Sequence, residues 1–306
     1  MTIGGGMRIG FDYGGTKIAG IALDGDGKTL ATGRVPTPRH DYDGGIRAIR
    51  GLMEALEAEA DRKAERIGIG VPGSVDRDTG HVSMGNSVWL HGRDLRGDLR
   101  AALERPVAVA NDANCFALSE AVDGAGAGAQ VVFGAILGTG VGGGIAVHGR
   151  VIEGINAIGG EWGHIPLPDP TDDERPGPLC SCKRPGHTEA WLSGPSLKAD
   201  HERVCGLQQG TGPEAPQIAE MAAAGDPQAE ATMRRYEDRL GRSLAVIVNV
   251  LDPDVIVLGG GVSNIDRLYE TVPDKIRPHV FGDRFRTRLV KNLHGDSSGV
   301  RGAAWL

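Results

Sequence analysis

Arg8-Ile9-Gly10-Phe11-Asp12-Tyr13-Gly14-Gly15-Thr16-Lys17-Ile18-Ala19-Gly20-Ile21-Ala22-Leu23 is the stretch on which the fold depends. Arg8–Phe11 and Ile18–Leu23 read as apolar strands joined by a turn that holds an acid, two glycines, a hydroxyl and an ammonium within six residues. Such a turn suits backbone amides closing around phosphate oxygens. It lacks the GxxxxGK[ST] spacing of a Walker loop. Taken alone, a tight hairpin that needs glycine at positive φ explains it equally well.

Working outward, a third strand is predicted near Leu30–Val35, and a helix over 43–63 with Ile46, Ile49, Leu52, Met53 and Leu56 at helical spacing. A buried strand at Ile67–Val71, a helix over 97–104, a strand at Val107–Ala110 and a helix over 113–122 follow. The opening pattern then returns, with strands Val131–Leu137 and Gly142–Val147 around the turn Gly138-Thr139-Gly140-Val141-Gly142-Gly143-Gly144. This turn matches GxGxxG, but a dinucleotide site needs a helix after the glycines, and Ile145-Ala146-Val147 reads as strand. Two glycine hairpins about 125 residues apart point to a duplicated lobe with both hairpins on one cleft. Further on, Met233, Tyr236, Leu240, Leu244, Ile247 and Leu251 mark a core helix over 227–251. A strand at Val255–Leu258, the turn Gly259-Gly260-Gly261, a helix near 265–277, a strand near Arg288–Val290 and a short terminal helix complete an α/β chain.

The 306 residues allow two domains. Hydrophobic residues make up 40% and charged residues 24%, which is the composition of a folded globular protein. With 33 Lys and Arg against 40 Asp and Glu, the net charge of -7 supplies no basic field for nucleic acid or an anionic membrane. No apolar run is long enough for a membrane span and no signal peptide is legible, so a cytoplasmic location is expected, with Met7 an alternative start. The 49 glycines fall in clusters, as backbone sites do, rather than along linkers.

Asp112, in Asn111-Asp112-Ala113-Asn114, sits where a strand passes into a helix. An N-cap role and a general-base role are both open to it, since strand ends of α/β sheets are where ligands bind. Cys115 beside Phe116 and Leu118 reads as a buried thiol. Cys180 and Cys182, with His187 after and His164 before, offer two thiolates and two imidazoles to a tetrahedral zinc ion, whose work would be to pin the irregular 168–187 loop. That loop leads to Glu161 on one side and Glu189 on the other.

Together, Asp12–Lys17, Asn111–Asn114, Gly138–Gly142, Gly160-Glu161-Trp162-Gly163-His164, the C-x-C loop and Leu258–Gly261 resemble the ROK family of sugar kinases and repressors, in the family's order and spacing. The resemblance implies two RNase H-like lobes of the actin/hexokinase type with a cleft between them. They would cover 1–121 and 122–306, with the terminal helix returning to the first. Asp12, Gly14, Gly15, Thr16 and Lys17 would meet the phosphates of ATP, with Mg²⁺. Gly138, Thr139 and Gly140 would close from the other lobe, and Gly259, Gly260 and Gly261 would lie beneath the adenosine. Asp112 would be the general base. Asn111, Glu161, His164 and Glu189 would hold sugar hydroxyls, with Gly73, Ser74 and Asn86 assisting. His164, Cys180, Cys182 and His187 would bind zinc, His187 standing where the family usually has cysteine. With the phosphate turn beginning at residue 12, the repressors' DNA-binding domain is not expected. The segments Asn86–Gly92, Glu161–Pro168 and His294–Trp305 look most like bacterial fructokinases of the manno(fructo)kinase type, with N-acetylglucosamine kinase second. The expected reaction is transfer from MgATP to the 6-hydroxyl of D-fructose, by a homodimer whose partners are otherwise only sugar and ATP.

Overall fold

The structure, a computed structural model, describes residues 6–76, 78–85 and 87–306. The chain divides into two compact units. The first comprises the residues up to Gly128 with Gly144–Gly160 and Leu293–Leu306, and the second Ala129–Gly143 and Glu161–Asn292.

In the first unit, strands β1 (Arg8–Tyr13), β2 (Lys17–Leu23) and β3 (Thr29–Pro36) form the antiparallel meander, and helix α1 (Tyr42–Ala60) follows. Asp41 caps α1 by accepting from the Gly44 amide, and Ile49, Leu52, Met53 and Leu56 are its buried face. Strands β4 (Arg66–Val71), β5 (Ser74–Val75) and β6 (Val82–Ser83), helix α2 (Leu95–Leu103), strand β7 (Val107–Asn111) and helix α3 (Asp112–Val122) come next. The main sheet has the order β3-β2-β1-β4-β7, with β1, β4 and β7 mutually parallel. In-register pairing sets Asp12 opposite Gly70, and Val71 opposite Asn111, so Asp12, Asn111 and Asp112 stand at the carboxyl ends of β1 and β7, the two parallel strands that flank β4.

Strands β8 (Val131–Leu137), β9 (Val141–Val147) and β10 (Arg150–Val151) repeat the hairpin pattern. Helices α4 (Glu189–Leu192), α5 (Gly194–Cys205), α6 (Ala215–Ala223) and α7 (Pro227–Leu251) lead to β11 (Val255–Gly259), α8 (Arg267–Ile276), β12 (Arg288–Lys291) and α9 (Ser298–Trp305). The second sheet has the order β10-β9-β8-β11-β12, and every residue of β11 is buried, as a parallel strand covered on both faces requires. Helix α7 starts at the cap Asp226 and stops at Asp252, whose φ of 46° and following Pro253 end the helix.

Helix α9 lies in the first unit against β1, β4 and α3. The approach is backbone to backbone: a Cβ added at Gly10 would lie 2.2 Å from the Val300 carbonyl oxygen, and one at Gly68 only 1.7 Å from that of Ala303. Arg301 fixes the helix further through Asp123 and the Gly27 carbonyl, and Ser298 Oγ donates to the buried Glu120 at 2.8 Å.

Candidate active site

In the first unit, the Asp12–Lys17 turn is tied from outside. Arg39 Nε donates to the Gly15 carbonyl at 2.8 Å and its Nη2 to Thr16 Oγ1 at 2.9 Å, while Thr37 Oγ1 donates to the Gly14 carbonyl at 2.7 Å. Gly14 and Gly15 are not among the glycines at positive φ, so the hairpin does not need glycine for its backbone. What the glycines supply is a turn without side chains over its amides. Asp12 is half-buried beside it; burial raises its pKa and Lys17 opposes that shift, leaving it raised.

The cap position that the sequence left open to Asp112 is taken by Asn111. Its Oδ1 accepts from the Ala113 and Asn114 amides at 2.8 and 3.2 Å, so Asn111 is the N-cap of α3. Asp112, the first helical residue, is thereby exposed at the end of β7, its Oδ1 within 2.8 Å of the Ala113 amide. Asn111 Nδ2 donates to the Gly73 carbonyl at 2.8 Å, which joins two of the residues read as sugar contacts. Ser74 Oγ turns away to the Ala157 carbonyl at 2.7 Å, and Asn86 lies outside the described residues.

In the second unit, Gly260 has a φ of +79°, and a Cβ there would meet the Leu137 carbonyl oxygen at 2.5 Å and the Gly138 amide nitrogen at 3.0 Å. The Gly138–Gly140 and Gly259–Gly261 turns are therefore packed backbone on backbone, which only glycine allows at this position. Glu189 closes the other side. One carboxylate oxygen accepts from the Val141 amide at 3.2 Å, and the second from Ser181 Oγ at 2.5 Å and Cys180 Sγ at 3.4 Å. Burial alone would raise the Glu189 pKa; these donors outweigh it and leave it lowered.

Cys180 Sγ lies 3.5 Å from His164 Nδ1, and Cys182 Sγ 3.2 Å from His187 Nδ1. All four ligand atoms are within 4.8 Å of one another. A tetrahedral ion with ordinary Zn–S and Zn–N bonds separates S from N by ~3.6 Å, so the donor set fits zinc in type and in spacing. His164 Nε2 is 4.0 Å from Glu161 Oε2, beyond hydrogen-bond distance. Burial lowers the His187 pKa and so favours the neutral, ligating imidazole.

The structure also brings in residues that the sequence reading passed over. Arg39, Thr37 and Ser181 reach their partners through contacts across the chain or through a loop without periodicity, and no local pattern marks them. Cys115 is fully buried, its thiol pushed far up by burial, in keeping with an inert packing role.

Two glycine-turned lobes of this topology define the actin/hexokinase-like ATPase fold. The chain matches the ROK family over residues 8–306. It is 40% identical over 305 residues to the N-acetyl-D-glucosamine kinase of Photobacterium profundum, covering 98% of this chain and 99% of that one. The N-acetyl-D-glucosamine kinase of Vibrio cholerae is 39% identical over 304 residues, again covering 98% and 99%. Among solved structures, the ROK hexokinase of Thermus thermophilus superposes with a TM-score of 0.85 at 32% identity, over 98% of this chain and 97% of that one. The ROK glucokinase of Streptomyces griseus, solved with glucose and AMPPNP, gives 0.75 at 31%, over 98% of each. The chain belongs to the ROK family, and within it to the sugar kinases. The fructokinase expectation is overturned, because these full-length relatives are N-acetyl-D-glucosamine kinases. One methyl-sized difference in a sugar pocket is worth only ~1–3 kcal/mol, so the choice among hexoses leaves little mark on a single sequence.

Proposed function

We propose that the protein transfers the γ-phosphoryl group of ATP to the 6-hydroxyl of N-acetyl-D-glucosamine. The observation that carries the mechanism is the division of labour at α3: Asn111 caps the helix, and the Asp112 carboxylate stands exposed at a strand end. Asp112 accepts the hydroxyl proton as the sugar oxygen attacks phosphorus and the bond to the β-phosphate oxygen breaks, releasing ADP. The turn Asp12–Lys17 and the turn Gly138–Gly140 supply amides, and Lys17 a charge, to the phosphates; Gly259–Gly261 take the adenosine. Asp12 would hold Mg²⁺, which would neutralise phosphate charge. Asn111, Glu161, His164 and Glu189 bind sugar hydroxyls. Zinc held by His164, Cys180, Cys182 and His187 would be structural, because four protein ligands leave no open position for water.

The substrate reading rests on the relatives and is tested by ADP release with MgATP against N-acetylglucosamine, glucose, mannose, fructose and no sugar. Turnover chiefly on N-acetylglucosamine supports it. Turnover chiefly on another hexose overturns the substrate and leaves the mechanism; no sugar-dependent turnover overturns both.

A further inference from the structure

The first glycine turn is held on its carbonyl side by a short segment far from it in sequence. Strand β3 ends at Pro36, and Pro36 and Pro38, each with φ fixed by its ring, stiffen the chain on both sides of the buried Thr37. Thr37 Oγ1 donates to the Gly14 carbonyl at 2.7 Å, Arg39 Nε to the Gly15 carbonyl at 2.8 Å, and the Thr37 amide to the Thr16 carbonyl at 3.0 Å. Successive carbonyls of the turn therefore all point toward Thr37 and Arg39.

A planar trans peptide sets its C=O and the following N–H in opposite directions. Holding these carbonyls from one side thus turns the Gly15, Thr16 and Lys17 amides away from the 37–39 segment. Those of Gly15 and Thr16 donate to no acceptor among the described residues. The Thr16 hydroxyl is directed as well: its Oγ1 accepts from Arg39 Nη2 at 2.9 Å, and a hydroxyl that accepts keeps its own proton to donate. Arg39 pairs with no carboxylate among the described residues, so its donors go to the turn and not to an acid.

We propose that Arg39, with Thr37, is a positioning residue for the nucleotide phosphates: it fixes the peptide between Gly15 and Thr16 with its N–H outward and leaves the Thr16 hydroxyl a donor, so that donors are set before an anion arrives. Arg39 acts from behind the turn and does not touch phosphate. The proposal rests on the reading of Asp12–Lys17 as the phosphate turn, and it does not depend on which sugar is phosphorylated. Donors fixed in advance spare the ligand the cost of ordering them.

The experiment is calorimetric titration of the full chain with MgADP and with adenosine, beside thermal denaturation. Arg39→Gln should weaken MgADP by about tenfold, the worth of a hydrogen bond from a charged donor. Arg39→Lys should weaken it nearly as much, because a single ammonium does not reproduce the guanidinium fork across the Gly15 carbonyl and Thr16 Oγ1. Thr37→Val, which keeps the shape and removes one neutral donor, should weaken it by about fivefold. Adenosine affinity should hold in all three, and the melting temperature in both Arg39 variants. Full MgADP affinity in Arg39→Lys would reduce Arg39 to a charge and overturn the proposal, as would full affinity in Arg39→Gln or an equal loss for adenosine. An unaltered chain that binds adenosine no more weakly than MgADP would instead overturn the phosphate reading of the turn, and the proposal with it.

Discussion

Glu189 Oε2 accepts from the Val141 amide at 3.2 Å, which ties the start of α4 to the end of the second glycine turn. Through its other oxygen the same carboxylate receives Ser181 and Cys180 from the C-x-C loop. Glu189→Gln keeps the shape but turns charge-assisted bonds into neutral ones and adds a donor where donors already converge. A stability loss of about 1–3 kcal/mol is expected, with a raised KM for both sugar and ATP, measured by thermal denaturation and steady-state kinetics. Unchanged KM values would remove Glu189 from the coupling.

Asp112→Asn removes the proton acceptor while Asn111 still caps α3. Stability and sugar affinity should therefore hold, and kcat should fall by about 10²–10⁴-fold. Calorimetric binding of sugar beside the turnover assay separates the two. Near-normal turnover would take Asp112 out of the role of base.

The strand-turn-strand units at Asp12–Lys17 and Gly138–Val141 were legible because glycine clusters and apolar strands are local signals. Helix α7 was legible because its buried residues, Met233, Tyr236, Leu240 and Leu244, keep the period over twenty-five residues. By contrast α4 is four residues long, and α5 buries Asp200, His201 and Glu202 beside Leu197, so polar residues occupy positions where the pattern looks for apolar ones. Strand β10 has two residues and no period to show. At the site, Asn111 as cap and Arg39 as clamp depend on backbone geometry and on a contact across 24 residues. The sugar was misread because the residues that shape a hexose pocket around C2 carry no periodic or spacing signal in a single sequence.

Purified protein should hold one zinc per chain by elemental analysis. His187→Ala should weaken zinc by more than the ~10–100-fold typical of losing an outer-shell partner, and His187→Cys should restore it. Zinc removal should raise the sugar KM more than it lowers kcat, since Glu161, His164 and Glu189 share the cluster. Metal-free protein of full activity would end the structural-zinc reading.

Gly302 in α9 faces α3 so closely that a Cβ would lie 1.6 Å from the Cys115 carbonyl oxygen, a backbone atom that cannot step aside. Gly302→Ala should cost about 3 kcal/mol or more. Gly299 on the same helix has nothing within 4 Å of an added Cβ, and Gly299→Ala should leave the melting temperature unchanged or higher. Equal effects of the two substitutions would contradict the packing of α9 described above.

Glu174, 6% exposed, accepts from Arg239 Nε at 2.7 Å and Arg242 Nη2 at 2.9 Å. Burial alone would raise its pKa, but the bonds from Arg242, Arg239 and the Thr171 amide prevail and hold it at about 2. Because the folded value is depressed, the carboxylate's contribution is complete above its unfolded pKa of ~4.3 and is lost as pH falls from there toward 2. The shift corresponds to about 3 kcal/mol at neutral pH. Asp200, also lowered, loses its contribution in the same direction, so the comparison must be with a variant. Glu174→Gln should cost about 3 kcal/mol at pH 7, because Arg239 and Arg242 lose the buried anion they share and keep only Asp200 at 3.4 Å and the half-exposed Asp238 at 3.0 Å. Its stability, followed by urea denaturation, should also fall less steeply than that of the unaltered chain between pH 5 and 3. Parallel pH curves for the two proteins would mean that the Glu174 pKa is not lowered as the buried pairing requires.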